Sequence, residues 1–169
     1  SDNNESDNNE SDNNESDNES NEDTSSEEDY DRDDIRNIIF SDIDNMYAYG
    51  KLGEFDVMLM KSNGYINASK LCTDSNIKLK KNKKKEISHW LENDKSQGII
   101  NALVDTLGKP RTSLLIKIMN GKNLTRGTYV HPKLIIHIAA WCDPEYALQV
   151  SDIVIKYHAK QAIEEKEKR

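Results

Sequence analysis

The sequence predicts an α+β domain of two β-hairpins and about five short helices, set behind an acidic, disordered tail. Three observations predict it. Residues 1 to 34 carry sixteen acids and one arginine, net −15, so the rest of the chain must hold +7 to reach the total of −8. Two Asn-Gly steps, Asn63-Gly64 and Asn120-Gly121, each interrupt runs of alternating apolar residues, the strongest short hairpin signal. Between and after them, apolar residues recur at helical spacing, bounded by capping residues.

The tail repeats Ser-Asp-Asn-Asn-Glu from Ser1, Ser6 and Ser11, then decays, with no apolar residue before Tyr30. With nothing to bury, it cannot offset the backbone entropy lost on ordering, so disorder is expected. It reads as a solubilising tail, or as an intramolecular polyanion competing with nucleic acid for the basic body, tunable by phosphorylation of Ser16, Ser25 or Ser26. Residues 35 to 46 read as a linker, and residues 47 to 157 have the size of one domain.

Within that domain, residues 47 to 49 and 54 to 60 read as strands, with a type I′ turn at Asn63-Gly64 leading into Tyr65, Ile66 and Asn67. Asn67 then caps a helix burying Ala68, Leu71 and Cys72, ending near Asp74. Lys78-Leu79-Lys80-Lys81-Asn82-Lys83-Lys84-Lys85 places six lysines in eight residues, which no core accepts. This run is a solvated loop, a nuclear-import address or a set of phosphate contacts.

Ile87, Trp90 and Leu91 form one helical face. Ile99, Ile100, Leu103, Val104 and Leu107 form a second, ended by Gly108 and Pro110. Lysines leading into two short helices suit a helix-turn-helix placed against a phosphate backbone. Residues 114 to 130 read as a second hairpin with a cationic tip, a two-stranded ribbon projecting from helices and able to enter a DNA groove. Pro132 starts a helix burying Leu134, Ile135, Ile138 and Ala139. Asp143-Pro144-Glu145 starts the last, with Tyr146, Ala147, Val150, Ile153, Val154 and Tyr157 on its apolar positions and a charged extension at 158 to 169.

Gly64-Tyr65-Ile66-Asn67-Ala68-Ser69-Lys70-Leu71-Cys72, then Trp90-Leu91, Gly127-Thr128-Tyr129-Val130-His131-Pro132, Ile138-Ala139, Trp141 and Pro144-Glu145-Tyr146-Ala147 together resemble the KilA-N domain in order and spacing. The resemblance is closest to KilA-N proteins of large DNA viruses, and is more distant to the APSES DNA-binding domain of fungal cell-cycle transcription factors. It implies a winged-helix-like DNA-binding module, with the wing at residues 114 to 130 and the helical reader at residues 86 to 108. Lys133 stands where the family usually has Asp, a cation in the first turn of a helix, which the helix dipole disfavours unless an anion such as phosphate meets it.

The expected partner is DNA, duplex first, with RNA open. Lys80, Lys81, Lys83, Lys84 and Lys85 are expected to position phosphates, and Lys117, Lys122, Asn123 and Arg126 to reach a groove. The expected setting is intracellular, the host nucleus or a cytoplasmic viral replication site. The alternative is a non-enzymatic adaptor whose basic face meets an acidic protein, although residues 159 to 169 offer only Ala159, Ala162 and Ile163 as a coiled-coil seam.

No enzyme, metal or cofactor is expected. His89, His131, His137 and His158 fall in no paired ligand spacing with Cys72, Cys142, Asp143 or Glu145, and the two cysteines sit in apolar patterns as reduced core thiols. The cysteine and histidine array of the RING modules that accompany some relatives is missing, and no nuclease domain fits after Tyr157.

Overall fold

Alternating apolar residues set the first strands, and the computed structural model of the chain, which describes residues 30–80 and 82–168, shows them joined in one sheet. The repeats of the acidic tail, with their expected disorder, lie outside the described residues. The six strands are β1 (Ile39–Asp42), β2 (Tyr47–Leu52), β3 (Phe55–Met60), β4 (Ile66–Asn67), β5 (Leu115–Ile118) and β6 (Gly127–Val130). Their order is β1-β2-β3-β4-β6-β5, and every neighbouring pair is antiparallel.

Three features of this sheet depart from the sequence reading. The expected linker contributes a 3-10 turn, Ile35–Ile38, and the edge strand β1. The second hairpin does not project as a separate ribbon: β6 pairs with β4 through Ile66↔Val130 and Asn67↔Tyr129, so the ribbon is one side of the common sheet. The Asn63-Gly64 turn also differs from type I′, which needs left-handed backbone at both residues. Only Gly64 is left-handed, at φ 76°, while the Asn63 side chain accepts from the Tyr65 amide at 2.9 Å, and Met60 N–H donates to Tyr65 across a four-residue connection. A tighter turn at Gly53-Glu54 joins β2 and β3, with Gly53 left-handed at φ 58°.

One face of the sheet presents Ala48, Val57, Leu59, Ile66 and Val130 to the helices, where Leu71, Ile100, Leu134, Ile135 and Ile138 complete the main core. The other face carries a tyrosine layer of Tyr47, Tyr65 and Tyr129, with Ile43, Met60, Ile116 and Ile118 packed against it. The Tyr129 hydroxyl donates to the Thr125 carbonyl at 2.7 Å, so the β5–β6 connection folds over this layer, and burial pushes the phenol well above its usual pKa.

The helices are α1 (Ala68–Leu79), α2 (Ile87–Glu92), α3 (Asp94–Leu107), α4 (Pro132–Cys142) and α5 (Pro144–Glu167). α1 runs past the expected end near Asp74 because its next inward residues are polar yet buried: Ser75 donates to the Cys142 carbonyl at 3.5 Å, and Asn76 grips the following loop. Asn93 alone separates α2 from α3. Gly108 ends α3 in left-handed conformation, as a C-cap glycine does. Cys72 and Cys142 meet between α1 and α4 with sulfurs 3.5 Å apart, beyond bonding distance.

α5 forms as its capped start demands, but its burial does not follow the pattern. Tyr146 is its one buried residue, edge-on to Phe55, and Ile153, Val154 and Tyr157 are exposed. Helical spacing aligns apolar side chains; it does not supply a surface opposite them. The helix continues off the body for about 36 Å in all, at 1.5 Å per residue. Among the described residues, no helix is long and apolar enough to cross a membrane.

Candidate nucleic-acid interface

Both groups of candidate residues are organised by α1. At its N-terminus, the buried Asn67 accepts from Lys70 N–H at 2.9 Å, capping the helix, and donates through Nδ2 to the Arg126 carbonyl at 3.0 Å. Ser69 Oγ accepts from Thr128 N–H at 3.0 Å. The base of the β5–β6 hairpin is therefore tied to the start of α1. At the other end, Lys80 is left-handed, at φ 50°, and closes the helix. Asn76 then takes both backbone groups of Lys85, donating to its carbonyl at 2.7 Å and accepting from its N–H at 2.9 Å. The lysine loop is thus closed on the helix that precedes it.

Twelve helical residues span about 18 Å, so the two basic elements stand at opposite ends of a rod. That length matches about five base pairs of duplex at 3.4 Å per step.

Lys80, Lys83 and Lys84 are exposed, and Lys81 lies outside the described residues. Lys85 is engaged elsewhere: its Nζ donates to the Trp141 carbonyl at 2.5 Å and lies 4.7 Å from the centre of the Trp141 ring. Lys117, Lys122, Asn123 and Arg126 are exposed on the hairpin. Arg126 spends part of its guanidinium on the Gly121 carbonyl at 2.9 Å, which holds the tip in shape. Lys122 lies close enough to Asp44 to help lower that carboxyl's pKa, after the larger effect of the Met46 and Tyr47 amides. Among the described residues, the ion pairs within 4 Å are Arg36–Asp34 and Lys61–Asp42, so neither basic element is neutralised by a direct pair.

Three further cations near α3 were not singled out by sequence. Lys95 stands on the first turn of α3, and Lys109 and Arg111 follow its end; the Arg111 guanidinium donates to Gln97 Oε1. His131, read as a polar edge residue, is the N-cap of α4: its Nδ1 accepts from Lys133 N–H at 3.1 Å. Burial, then the Lys133 and Lys109 charges, hold its pKa below the ordinary histidine value. A capping imidazole was hard to foresee because the usual cap residues are Ser, Thr, Asp and Asn. Among the described residues, no three His, Cys, Asp or Glu side chains converge as metal ligands.

The KilA-N domain family matches residues 50–160. The chain belongs to this family. The KilA-N region thus takes in α1 to α4, strands β3 to β6 and the end of β2, so both basic elements fall inside it. The chain is 54% identical over 141 residues to the KilA-N domain-containing protein L4 of Acanthamoeba polyphaga mimivirus, covering 82% of this chain and 29% of that protein. Protein R878 of the same virus is 46% identical over 117 residues, covering 69% of this chain and 32% of the relative. An uncharacterized protein of fowlpox virus, FPV248, is 26% identical over 121 residues, covering 68% of this chain and 74% of its own length. This is a KilA-N protein of large DNA viruses. It spans about 30% of the length of the first two relatives. No solved structure matches it.

Proposed function

We propose that this KilA-N chain is a non-enzymatic DNA-binding protein, a viral regulatory or nucleoid-associated factor. The observation that carries this reading is the placement of two basic elements, in no direct ion pair among the described residues, at the two ends of α1, each fixed by a buried asparagine, Asn67 or Asn76. Lys80, Lys81, Lys83 and Lys84 serve as phosphate contacts that position the duplex. The hairpin acts as the wing, with Lys117, Lys122, Asn123 and Arg126 reaching a groove, and α2 and α3 act as the helical reader. The partner is duplex DNA, met in the host nucleus or at a cytoplasmic replication site. Membership of the KilA-N family supports the same reading.

The test is fluorescence anisotropy of the full chain against duplex DNA, single strands and RNA over a salt series. With about six phosphates neutralised, log affinity should fall against log salt with a slope of roughly −5 on duplex DNA. A slope near zero, or no binding at low salt, overturns the proposal. One observation favours a second reading as a protein adaptor: α5 presents Ile153, Ile155 and Tyr157 to solvent. Failure to bind any nucleic acid at low salt would favour it.

A further inference from the structure

Between the first turn of α3 and α4 lies a cavity of about 270 Å³, lined by Trp90, Asn93, Lys95, Ser96, Ile99, His137, Ala140 and Trp141. Its polar groups are predominantly donors. Ser96 is 3% exposed and Trp90 is 2% exposed, and among the described residues neither the Ser96 hydroxyl nor the Trp90 indole N–H has a hydrogen-bond partner. Neither group is sealed from solvent, and both residues line the cavity. Two donors with no protein acceptor, reached by solvent in one cavity, are placed to donate to an acceptor that enters it.

The surroundings favour an anionic acceptor. α3 is fourteen residues long, and its N-terminus presents partial positive charge. Asn93 uses its Oδ1 to cap Lys95 N–H at 2.9 Å, which leaves its amide NH₂ as a donor. Lys95 supplies full charge, felt at His137, whose pKa is held below the ordinary value first by burial and then by Lys95. Behind the wall, Lys85 lies over Trp141. Asp94, the acid of the first turn, is exposed and does not line the cavity. The volume lies below the ~300–1,000 Å³ of sites for drug-sized ligands, so it suits one small group.

We infer that this cavity is a phosphate-binding site, with Trp90 Nε1–H, Ser96 Oγ–H and Lys95 donating to the oxygens of one nucleotide phosphate. It adjoins the end of the lysine loop, since Lys85 bridges the two. The inference rests on the DNA-binding proposal only for the source of the phosphate, a nucleic-acid backbone or a free nucleotide.

The test uses the ¹⁵N-labelled full chain, whose two tryptophans give two indole resonances, assigned with Trp141→Phe. Inorganic phosphate, a nucleoside 5′-monophosphate and duplex DNA are titrated separately. The Trp90 indole resonance should move saturably, and Lys95→Gln and Ser96→Ala should each weaken the response about tenfold, the loss expected for a charge-assisted hydrogen bond. Lys95 is exposed, so its variant keeps the fold readable. Movement with duplex but not with the mononucleotide assigns a backbone phosphate; movement with the mononucleotide alone assigns a free nucleotide. A Trp90 resonance unmoved by all three, or unchanged affinity in both variants, overturns the inference. Duplex binding by anisotropy with Trp90 unmoved would sink this site and leave the DNA-binding proposal standing. A phosphate response without duplex binding would do the reverse.

Discussion

The Asn67 carboxamide occupies the space that a side chain on Gly127 would need. A Cβ there would lie 2.5 Å from Asn67 Oδ1 and 2.8 Å from Nδ2, and Gly127 holds φ at 144°. The two segments that carry the most specific sequence signal, around Gly64-Tyr65-Ile66-Asn67 and Gly127-Thr128-Tyr129-Val130, are therefore specified for each other: they pair as β4 and β6, and the carboxamide fills the glycine's gap.

Gly127→Ala should accordingly destabilise the domain by at least about 2 kcal/mol, combining overpacking with backbone strain. Asn67→Ala should cost about 2–4 kcal/mol, from a lost cap and an unpaired Arg126 carbonyl. Urea denaturation measures both, and a loss under about 0.5 kcal/mol in either would show that the Asn67 link does not hold the hairpin base.

The lysine loop should divide by function. Lys83→Gln or Lys84→Gln should each flatten the salt slope on duplex DNA by about 0.9 and leave stability unchanged. Lys85→Gln should do the opposite, keeping the slope and lowering stability by about 1–2 kcal/mol, because it loses the Trp141 carbonyl and ring. Equal slopes for Lys83→Gln and wild type would remove that lysine from the contact set.

His131 should make stability depend on pH. As a cap its Nδ1 must be unprotonated, and its folded pKa is lowered from 6.5. The stabilisation is therefore complete above that value and is lost as pH falls through the lower folded pKa. His131→Asn keeps a capping acceptor without the titration, and should flatten the decline that sets in as pH falls below 6.5. An NMR midpoint for His131 above 6.5 would contradict this.

Along α5, stability should be confined to the start. Tyr146→Ala should cost about 3 kcal/mol or more, whereas Ile153→Ser and Ile155→Ser should stay within about 0.5 kcal/mol of wild type in thermal and urea melts. A large loss at Ile155 in the monomer would mean that the exposed face is covered in solution.

Much of this was legible in the sequence because it is local. Gly108 after α3, Pro132 opening α4 and Asp143-Pro144 opening α5 act within one turn of helix, and they stand where the pattern puts them. What was not legible depends on distant partners. β1 is an edge strand with one half-buried residue out of four, so it leaves little alternation to read. Ser75 and Asn76 look like surface residues until the Cys142 carbonyl and the Lys85 backbone are set beside them. At the candidate interface, composition marked the lysines correctly as cations, but Lys85 is diverted by Trp141, 56 positions away. The cavity donors Trp90 and Ser96 were unreadable for the same reason: the first reads as core, and the second as an ordinary helix serine.

The β4–β6 pairing also bears on how the chain reaches this state. Ile66↔Val130 closes a ring of backbone that contains α1, α2, α3 and the whole β5–β6 hairpin, and β4 brings only two residues to the closure. Such a contact cannot form by zipping outward from a turn, so it belongs late in folding and should limit the rate. The closure penalty grows only logarithmically, by about 0.6 kcal/mol per doubling of the ring. Lengthening the hairpin tip should therefore slow the search for the native pairing far less than it enlarges the reach of the tip.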